Sequence, residues 1–350
     1  MKNRTVVMRS VPVGMPKPAD FDITEEELPD LQEGQMLLQN LWLTLDPYMR
    51  SGFMMSDENL GKTIVGGTLS RVVGSRAVGW QSGDLVLGYY GWQEYAVALP
   101  TDIQWNNPDM PIEKWDAELA PPSTSLGILG MTGFTAYQGL LKTARAAAGE
   151  TVVVSAASGA VGQVVGQLAK IKGARVVGIA GGVAKCAYCV DELGFDACVD
   201  YKAGNLPADL AAVVPDGIDV YFENVGGDVL EAVIPLLNEG ARVPICGYIA
   251  HYNLQDEERR PTPLQRLKAE GLAVLGKDGN RDGFSFFAFS ELAARQPDAE
   301  QARQEMAAWI KSGELKYRES IKEGLESCVP AFIGMLNGQN FGKTMVRLAS

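Results

Sequence analysis

The sequence predicts an α/β protein, a doubly wound parallel sheet joined to a second, irregular β-rich domain. Three observations carry this: chain length, a change of texture near residue 125, and one strand that runs straight into a glycine turn and an apolar helix. At 350 residues and about 150 residues per domain, two domains are expected. Up to about residue 125, short apolar runs at 35–42, 66–73, 84–88 and 93–98 are cut by Gly, Pro and Asp, as in short strands with frequent turns. From 126 to 315, strand-like runs at 151–155, 174–179, 197–200, 218–223, 240–245 and 272–275 follow one another. Helix-compatible stretches such as 161–172, 184–193 and 229–237 lie between the first five, an alternation that indicates βαβ units. Pro244 is awkward inside its run because it has no N–H for a ladder. Residues 316–350 return to β texture with a final strand at 340–348, so the β-rich domain reads as 1–125 plus 316–350, and the α/β domain as 126–315.

Composition narrows the function next. Lys+Arg 31 against Asp+Glu 43 leaves a net charge of −12, the wrong sign for neutralising phosphate backbones, so no nucleic-acid partner is expected. The only histidine, His251, excludes a zinc site built on several imidazoles. Cys186, Cys189, Cys198, Cys246 and Cys328 are an odd, sparse set that reads as reduced thiols in a cytoplasmic protein. Cys186 and Cys189 form a C-x-x-C with no second pair nearby, which on a helix makes them core neighbours rather than metal ligands. The stretch 151–169 is uncharged but broken by Gly159, Gly162 and Gly166, poor material for a membrane span. Lys2, Arg4 and Arg9 leave the first ten residues without an apolar signal core.

The junction is Thr151-Val152-Val153-Val154 followed by Ser155-Ala156-Ala157-Ser158-Gly159-Ala160-Val161-Gly162. Its spacing is A-x-G-x-x-G, with Ala157 where a dinucleotide fingerprint has its first glycine. Glycines let the backbone approach a pyrophosphate, and the helix N-terminus offers N–H groups and positive dipole to it. A glycine-rich helix start that binds nothing is the competing reading, and the strand–turn–helix context weighs against it. NAD sites place an acid about 20 residues after the turn, on the ribose 2′-hydroxyl. Here the sequence is Ala180-Gly181-Gly182-Val183-Ala184-Lys185, with no carboxylate before Asp191. Lys185 suits a 2′-phosphate as a point charge, so NADP(H) is expected rather than NAD. The plain alternative for Lys185 is a solvated lysine on a helix face.

Further stretches extend the pattern: Leu45-Asp46-Pro47-Tyr48-Met49-Arg50, Gly66-Gly67-Thr68, Gly91-Trp92-Gln93-Glu94-Tyr95 and Gly130-Met131-Thr132-Gly133-Phe134-Thr135-Ala136-Tyr137. With them come Asp200-Tyr201-Lys202, Glu223-Asn224-Val225-Gly226-Gly227, Cys246-Gly247, Tyr252-Asn253 and Gly338-Gln339-Asn340-Phe341-Gly342-Lys343. Across nearly its whole length the chain resembles the medium-chain dehydrogenase/reductase superfamily. Within it the likeness is to the zinc-independent branch of prostaglandin reductases, plant alkenal double-bond reductases and bacterial NADPH-dependent curcumin reductases. That implies a Rossmann domain and a GroES-like catalytic domain. Zinc-dependent relatives carry Gly-His-Glu where this chain has Gly66-Gly67-Thr68, and a four-cysteine lobe it lacks. No G-x-S-x-G elbow is present to support hydrolase chemistry.

The resemblance also implies roles. Lys185 and Tyr201 hold the 2′-phosphate with Gly181 nearby, and Gly159, Ala160 and Val161 face the pyrophosphate. Asn224, Cys246 and Asn340 contact the cofactor between ribose and nicotinamide, while Met131 and Thr132 flank the nicotinamide. Tyr201, Cys246 and Met131 suit core packing equally, and Asn224 a turn. Without a zinc electrophile, carbonyl reduction is less apt than hydride addition to the β-carbon of a small-molecule enone or enal. A neutral phenol would then serve the enolate oxygen. Tyr252 matches that position, and Tyr48 resembles a residue that lines and closes the pocket. Tyr252 as a half-buried loop tyrosine is the plain alternative, and His251 beside it reads as a loop residue. The runners-up are quinone reduction and an NADPH-binding structural or regulatory protein without turnover. A homodimer joined at sheet edges is implied too. Segment 256–290 departs from the relatives: charges at 256–260, then Phe284, Phe286, Phe287 and Phe289, leave the shape of the substrate mouth open.

Overall fold

The computed structural model describes residues 1–104, 107–255, 258, 260–270 and 297–349. The chain divides into two compact units, Met1–Gly127 with Glu319–Ser350, and Ile128–Arg318. Their folds are GroES-like and Rossmann, respectively.

In the Ile128–Arg318 unit the parallel strands lie side by side in the order Ala197–Asp200, Arg175–Ala180, Thr151–Ser155, Ile218–Phe222, Leu237–Arg242. The order reverses at Thr151–Ser155, so the crossovers run both ways from it and leave a ligand crevice at its carboxyl end. Every residue of that strand is buried, as expected of a central parallel strand covered on both faces. Helix Gly162–Ile171 packs down on it because its first turns carry glycine. A Cβ at Gly162 would lie 2.3 Å from the Ala156 carbonyl oxygen. Ala157, which replaces a glycine of the fingerprint, is accommodated from the neighbouring strand: a Cβ at Gly178 would meet the Ala157 methyl at 2.8 Å. One turn along, a Cβ at Gly166 would lie 1.9 Å from the Phe195 ring. Gly166→Ala is therefore expected to cost about 1–3 kcal/mol by overpacking, read as a lower denaturant midpoint with an unchanged slope. A midpoint equal to the parent's would mean that Phe195 swings aside.

Two boundaries differ from the sequence reading. The strand expected at 240–245 is Leu237–Arg242, ending before Pro244. Pairing resumes beyond the proline as a single parallel bridge from Glu223 to Ile245, and the Pro244 carbonyl still accepts the Glu223 N–H at 3.0 Å. Proline thus contributes its acceptor and is spared the donor role it cannot fill. The helix expected over 229–237 is Gly227–Val233 followed by a 3-10 turn, Ile234–Leu236, because Pro235 cannot continue an α-helical ladder. The strand expected at 272–275 and Phe284, Phe286, Phe287 and Phe289 lie outside the described residues, as do 256, 257 and 259.

The other unit is built on a mixed seven-stranded sheet. Its backbone runs Glu319–Glu323, Lys343–Arg347, Met36–Thr44, Thr68–Ser75, Leu85–Gly88, Glu113–Lys114, with Tyr95–Ala98 also paired to Met36–Thr44. The tail enters it directly, Lys343–Arg347 pairing antiparallel with Met36–Thr44. Trp92 and Phe332, edge to face at 5.4 Å, centre the core beneath. A hairpin of Lys2–Met8 and Phe21–Glu27 has no counterpart in the sequence reading. Phe21–Glu27 buries only Phe21, so it carries almost no apolar alternation to detect.

Candidate active site

Several of the predicted residues of the Ile128–Arg318 unit follow directly on the ends of its parallel strands. At the central strand, Ala156 takes a positive φ of 50°, turning the chain so that Gly159, Ala160 and Val161 remain partly exposed ahead of helix Gly162–Ile171. The Gln163 N–H donates to the Gly159 carbonyl at 3.1 Å and those of Val164 and Val165 to the Val161 carbonyl at 3.0 Å, so what this end offers an anion is the positive pole of the helix dipole.

At the next strand the register Ala180–Asp200 sets Gly181 against Tyr201. A Cβ at Gly181 would stand 2.8 Å from the Tyr201 ring, 2.9 Å from its hydroxyl and 3.0 Å from Lys202 Cε, so only glycine leaves this floor open. Asp200 Oδ1 accepts the N–H groups of Gly182 at 2.7 Å and Lys202 at 2.9 Å. Its charge is thereby committed to shaping the turn. Lys185 is half-buried, and burial, followed by the charge of Lys202, holds its pKa below the ordinary lysine range. Two like charges that oppose each other in a partly desolvated floor gain most when an anion joins them. Lys202, whose ammonium lies 5.9 Å over the Tyr201 ring, is the residue sequence reasoning missed. Its only sequence signal is that it directly follows Asp200-Tyr201. The glycine floor, aromatic face and paired lysines fit the 2′-phosphate of NADP(H).

Beyond the central strand, Asn224 is locked onto Ser155. Its N–H donates to Ser155 Oγ at 2.8 Å and its Nδ2 to the Ser155 carbonyl at 2.7 Å, which aligns the side chain at the crevice. Burial pushes the Cys246 thiol up to about 12. It stays protonated near neutrality and is no nucleophile. Tyr252 follows the single turn Ile249–His251. That turn hangs from the same loop, Ile249 N–H on the Asn224 carbonyl at 3.3 Å and Ala250 N–H on that of Val225 at 3.0 Å. The Tyr252 hydroxyl accepts the Tyr248 N–H at 3.4 Å, and Gly247 gives it room, since a Cβ there would come within 3.2 Å. The Tyr248 ring meets the rings of Tyr252 and His251 edge-on, each at 5.5 Å. His251 Nε2 is buried with no hydrogen-bond partner. Burial and the nearby Arg260 lower the His251 pKa, which favours the neutral ring.

Met131 and Thr132 open helix Met131–Tyr137 of the same unit, Thr132 buried and Met131 partly so. Tyr48 and Asn340 belong to the β-rich unit. Tyr48 begins the short helix Tyr48–Ser51, and burial, helped by Tyr89, lifts its pKa so that the phenol keeps its proton. Just ahead of it Asp46 and Lys343 form a buried ion pair, with the Thr44 hydroxyl donating to Asp46 at 2.6 Å. Asn340 donates its Nδ2 to the Gly342 carbonyl at 2.9 Å, closing its own turn.

Comparison with known proteins yields one consistent group. A family model described as the N-terminal domain of oxidoreductase matches residues 4–105, and one described as zinc-binding dehydrogenase matches 160–287. Among the described residues no group of three or more His, Cys, Asp or Glu is arranged to hold a metal. No described helix is long and apolar enough to cross a membrane. The chain is 44% identical to the NADPH-dependent curcumin reductase of Escherichia coli, over 99% of this chain and 97% of that one. It is 36% identical to the 2-alkenal reductase (NADP(+)-dependent) of Nicotiana tabacum, over 100% and 98%. Among solved structures, CurA of Vibrio vulnificus in complex with NADPH is 40% identical and superposes with a TM-score of 0.86, covering 99% of each chain.

Proposed function

The chain belongs to the zinc-independent branch of the medium-chain dehydrogenase/reductase family and is an NADP(H)-dependent oxidoreductase, and we propose that it reduces the carbon–carbon double bond of α,β-unsaturated ketones and aldehydes. The observation that carries this reading is the placement of the Tyr252 phenol beside the Asn224 turn, at the crevice end of a sheet whose neighbouring turns suit NADPH. The names of the relatives, a curcumin reductase and a 2-alkenal reductase, point the same way.

When bound, NADPH supplies the hydride. The protein's part is to hold and polarise. Lys185, Lys202 and Tyr201 would grip the 2′-phosphate, the glycine turn the pyrophosphate, and Asn224 the region between ribose and nicotinamide. As a substrate gains electrons at its β-carbon, negative charge builds on the carbonyl oxygen. A phenol O–H placed there stabilises that charge without giving up its proton beforehand. Cys246, kept as a thiol, does not compete as a nucleophile for an electrophilic enone.

A panel of enones, enals and quinones tests the proposal, with NADPH consumption followed by absorbance and the products by mass. The expected product is the saturated ketone or aldehyde with its carbonyl intact. An alcohol would refute double-bond reduction, faster turnover of quinones than of any enone would favour quinone reduction, and NADPH binding without turnover would favour a structural role.

A further inference from the structure

Glu223 stands at the end of strand Ile218–Phe222 and is 0% exposed. Donors converge on its Oε1: the N–H groups of Val225 at 2.6 Å and Gly226 at 2.9 Å, and the hydroxyls of Tyr221 at 3.0 Å and Ser155 at 3.1 Å. Its main chain is as busy. The N–H donates to the Pro244 carbonyl at 3.0 Å, and the carbonyl accepts from Cys246 at 2.9 Å and Gly247 at 3.2 Å. By contrast Oε2 is buried with no hydrogen-bond partner.

We infer that Glu223 is a positioning residue for the proposed reduction, joining the Ser155 end of the glycine turn, the 224–226 turn and the 246–252 loop, and that it does so as an uncharged acceptor. The inference rests on the function proposed above for what is being positioned. An anionic oxygen sealed from water without a donor is far costlier to bury than a neutral acid. With the proton on Oε2, Oε1 remains the acceptor for the two close N–H groups, and the Tyr221 hydroxyl shares it at 3.0 Å. The Ser155 hydroxyl has a second acceptor in the Phe222 carbonyl at 3.3 Å. Burial raises the acid's pKa even against these donors. The consequence for the site is indirect but continuous. Ser155 locks Asn224, the carbonyls of Asn224 and Val225 hold Ile249 and Ala250, and the loop so fixed ends at Tyr252.

Two variants separate geometry from charge. Glu223→Gln keeps the length and the acceptor but removes the acid, whereas Glu223→Asp keeps the acid and retracts it by one methylene. Glu223→Gln is expected to hold kcat for an enone within about 3-fold of the parent. Glu223→Asp should lower it roughly 10- to 100-fold, the effect of about 1 Å of misplacement. The KM for NADPH should stay within about 3-fold in both, because the phosphate floor is untouched. The reverse ranking, with Asp as good as or better than Gln, overturns the inference, and so does a Gln variant that fails to fold. Should Glu223→Asp not fold, Ser155→Ala, which removes one donor and leaves the acceptor, is expected to lower kcat several-fold at constant KM for NADPH, and an unchanged kcat overturns the inference. If the parent enzyme reduces no enone, the reaction assignment fails separately. Fluorescence of bound NADPH then still ranks the variants, with Gln matching the parent and Asp shifted; equal spectra in all three overturn the positioning role.

Discussion

Tyr252→Phe is expected to lower kcat for a chemistry-limited enone by about 10- to 10³-fold, the range seen when one oxyanion donor is lost. The substitution removes a single oxygen. The ring keeps its edge-on contact with Tyr248 at 5.5 Å, and the turn that carries it still hangs from the carbonyls of Asn224 and Val225. The long contact from the Tyr248 N–H, 3.4 Å, goes with the hydroxyl, and the thermal midpoint measures what that costs the fold. Because the donor acts where charge appears only as the substrate is reduced, kcat and kcat/KM should fall together, with the KM for NADPH unchanged. The check is steady-state kinetics with deuterated NADPH, where a rate limited by the chemical step shows an isotope effect. If kcat is unaltered while that effect is expressed, Tyr252 is not the donor.

Lys185→Ala is expected to raise the KM for NADPH by roughly 10- to 100-fold, equivalent to about 1.5–3 kcal/mol for a hydrogen bond to a charged group, and to leave that for NADH nearly unchanged. Lys202→Ala should act in the same direction more weakly, since Lys202 is exposed where Lys185 is half-buried. The sign of the pH dependence follows from the depressed Lys185 pKa. Its ammonium is lost at a lower pH than an ordinary lysine's, so as pH rises through the alkaline range the KM for NADPH climbs first while that for NADH stays flat. Raising salt should likewise weaken NADPH binding more than NADH. A Lys185→Ala enzyme whose KM rises equally for both cofactors would place the 2′-phosphate elsewhere.

Legibility divided along a physical line. Lys185 was readable because NAD specificity is written as an acid in a short segment after the glycine turn, and that segment holds a lysine instead. Lys202 was not, because it lies 17 residues further on by number (202 − 185) and reaches the same floor only through the parallel register Ala180–Asp200. Glu223 lies within a legible motif, yet its burial and its convergent donors depend on Ser155, Tyr221 and the 225–226 amides meeting at one strand end. The fifth strand differs by a few residues because the apolar run 240–245 continues through Pro244, whereas the strand ends at Arg242 and the proline beyond it contributes its carbonyl.

The sequence by itself determined the alternation of strand and helix, the glycine turn and the lack of an acid behind it. All of these are carried by neighbours along the chain, where backbone sterics and side-chain period act directly. Tertiary structure alone decided which turns share a floor, which glycines are required by an opposing ring or methyl, and that the Glu223 side chain is fully buried. Those outcomes depend on strand order and register, and a contact between residues far apart in number exists only once the sheet has brought their ends together.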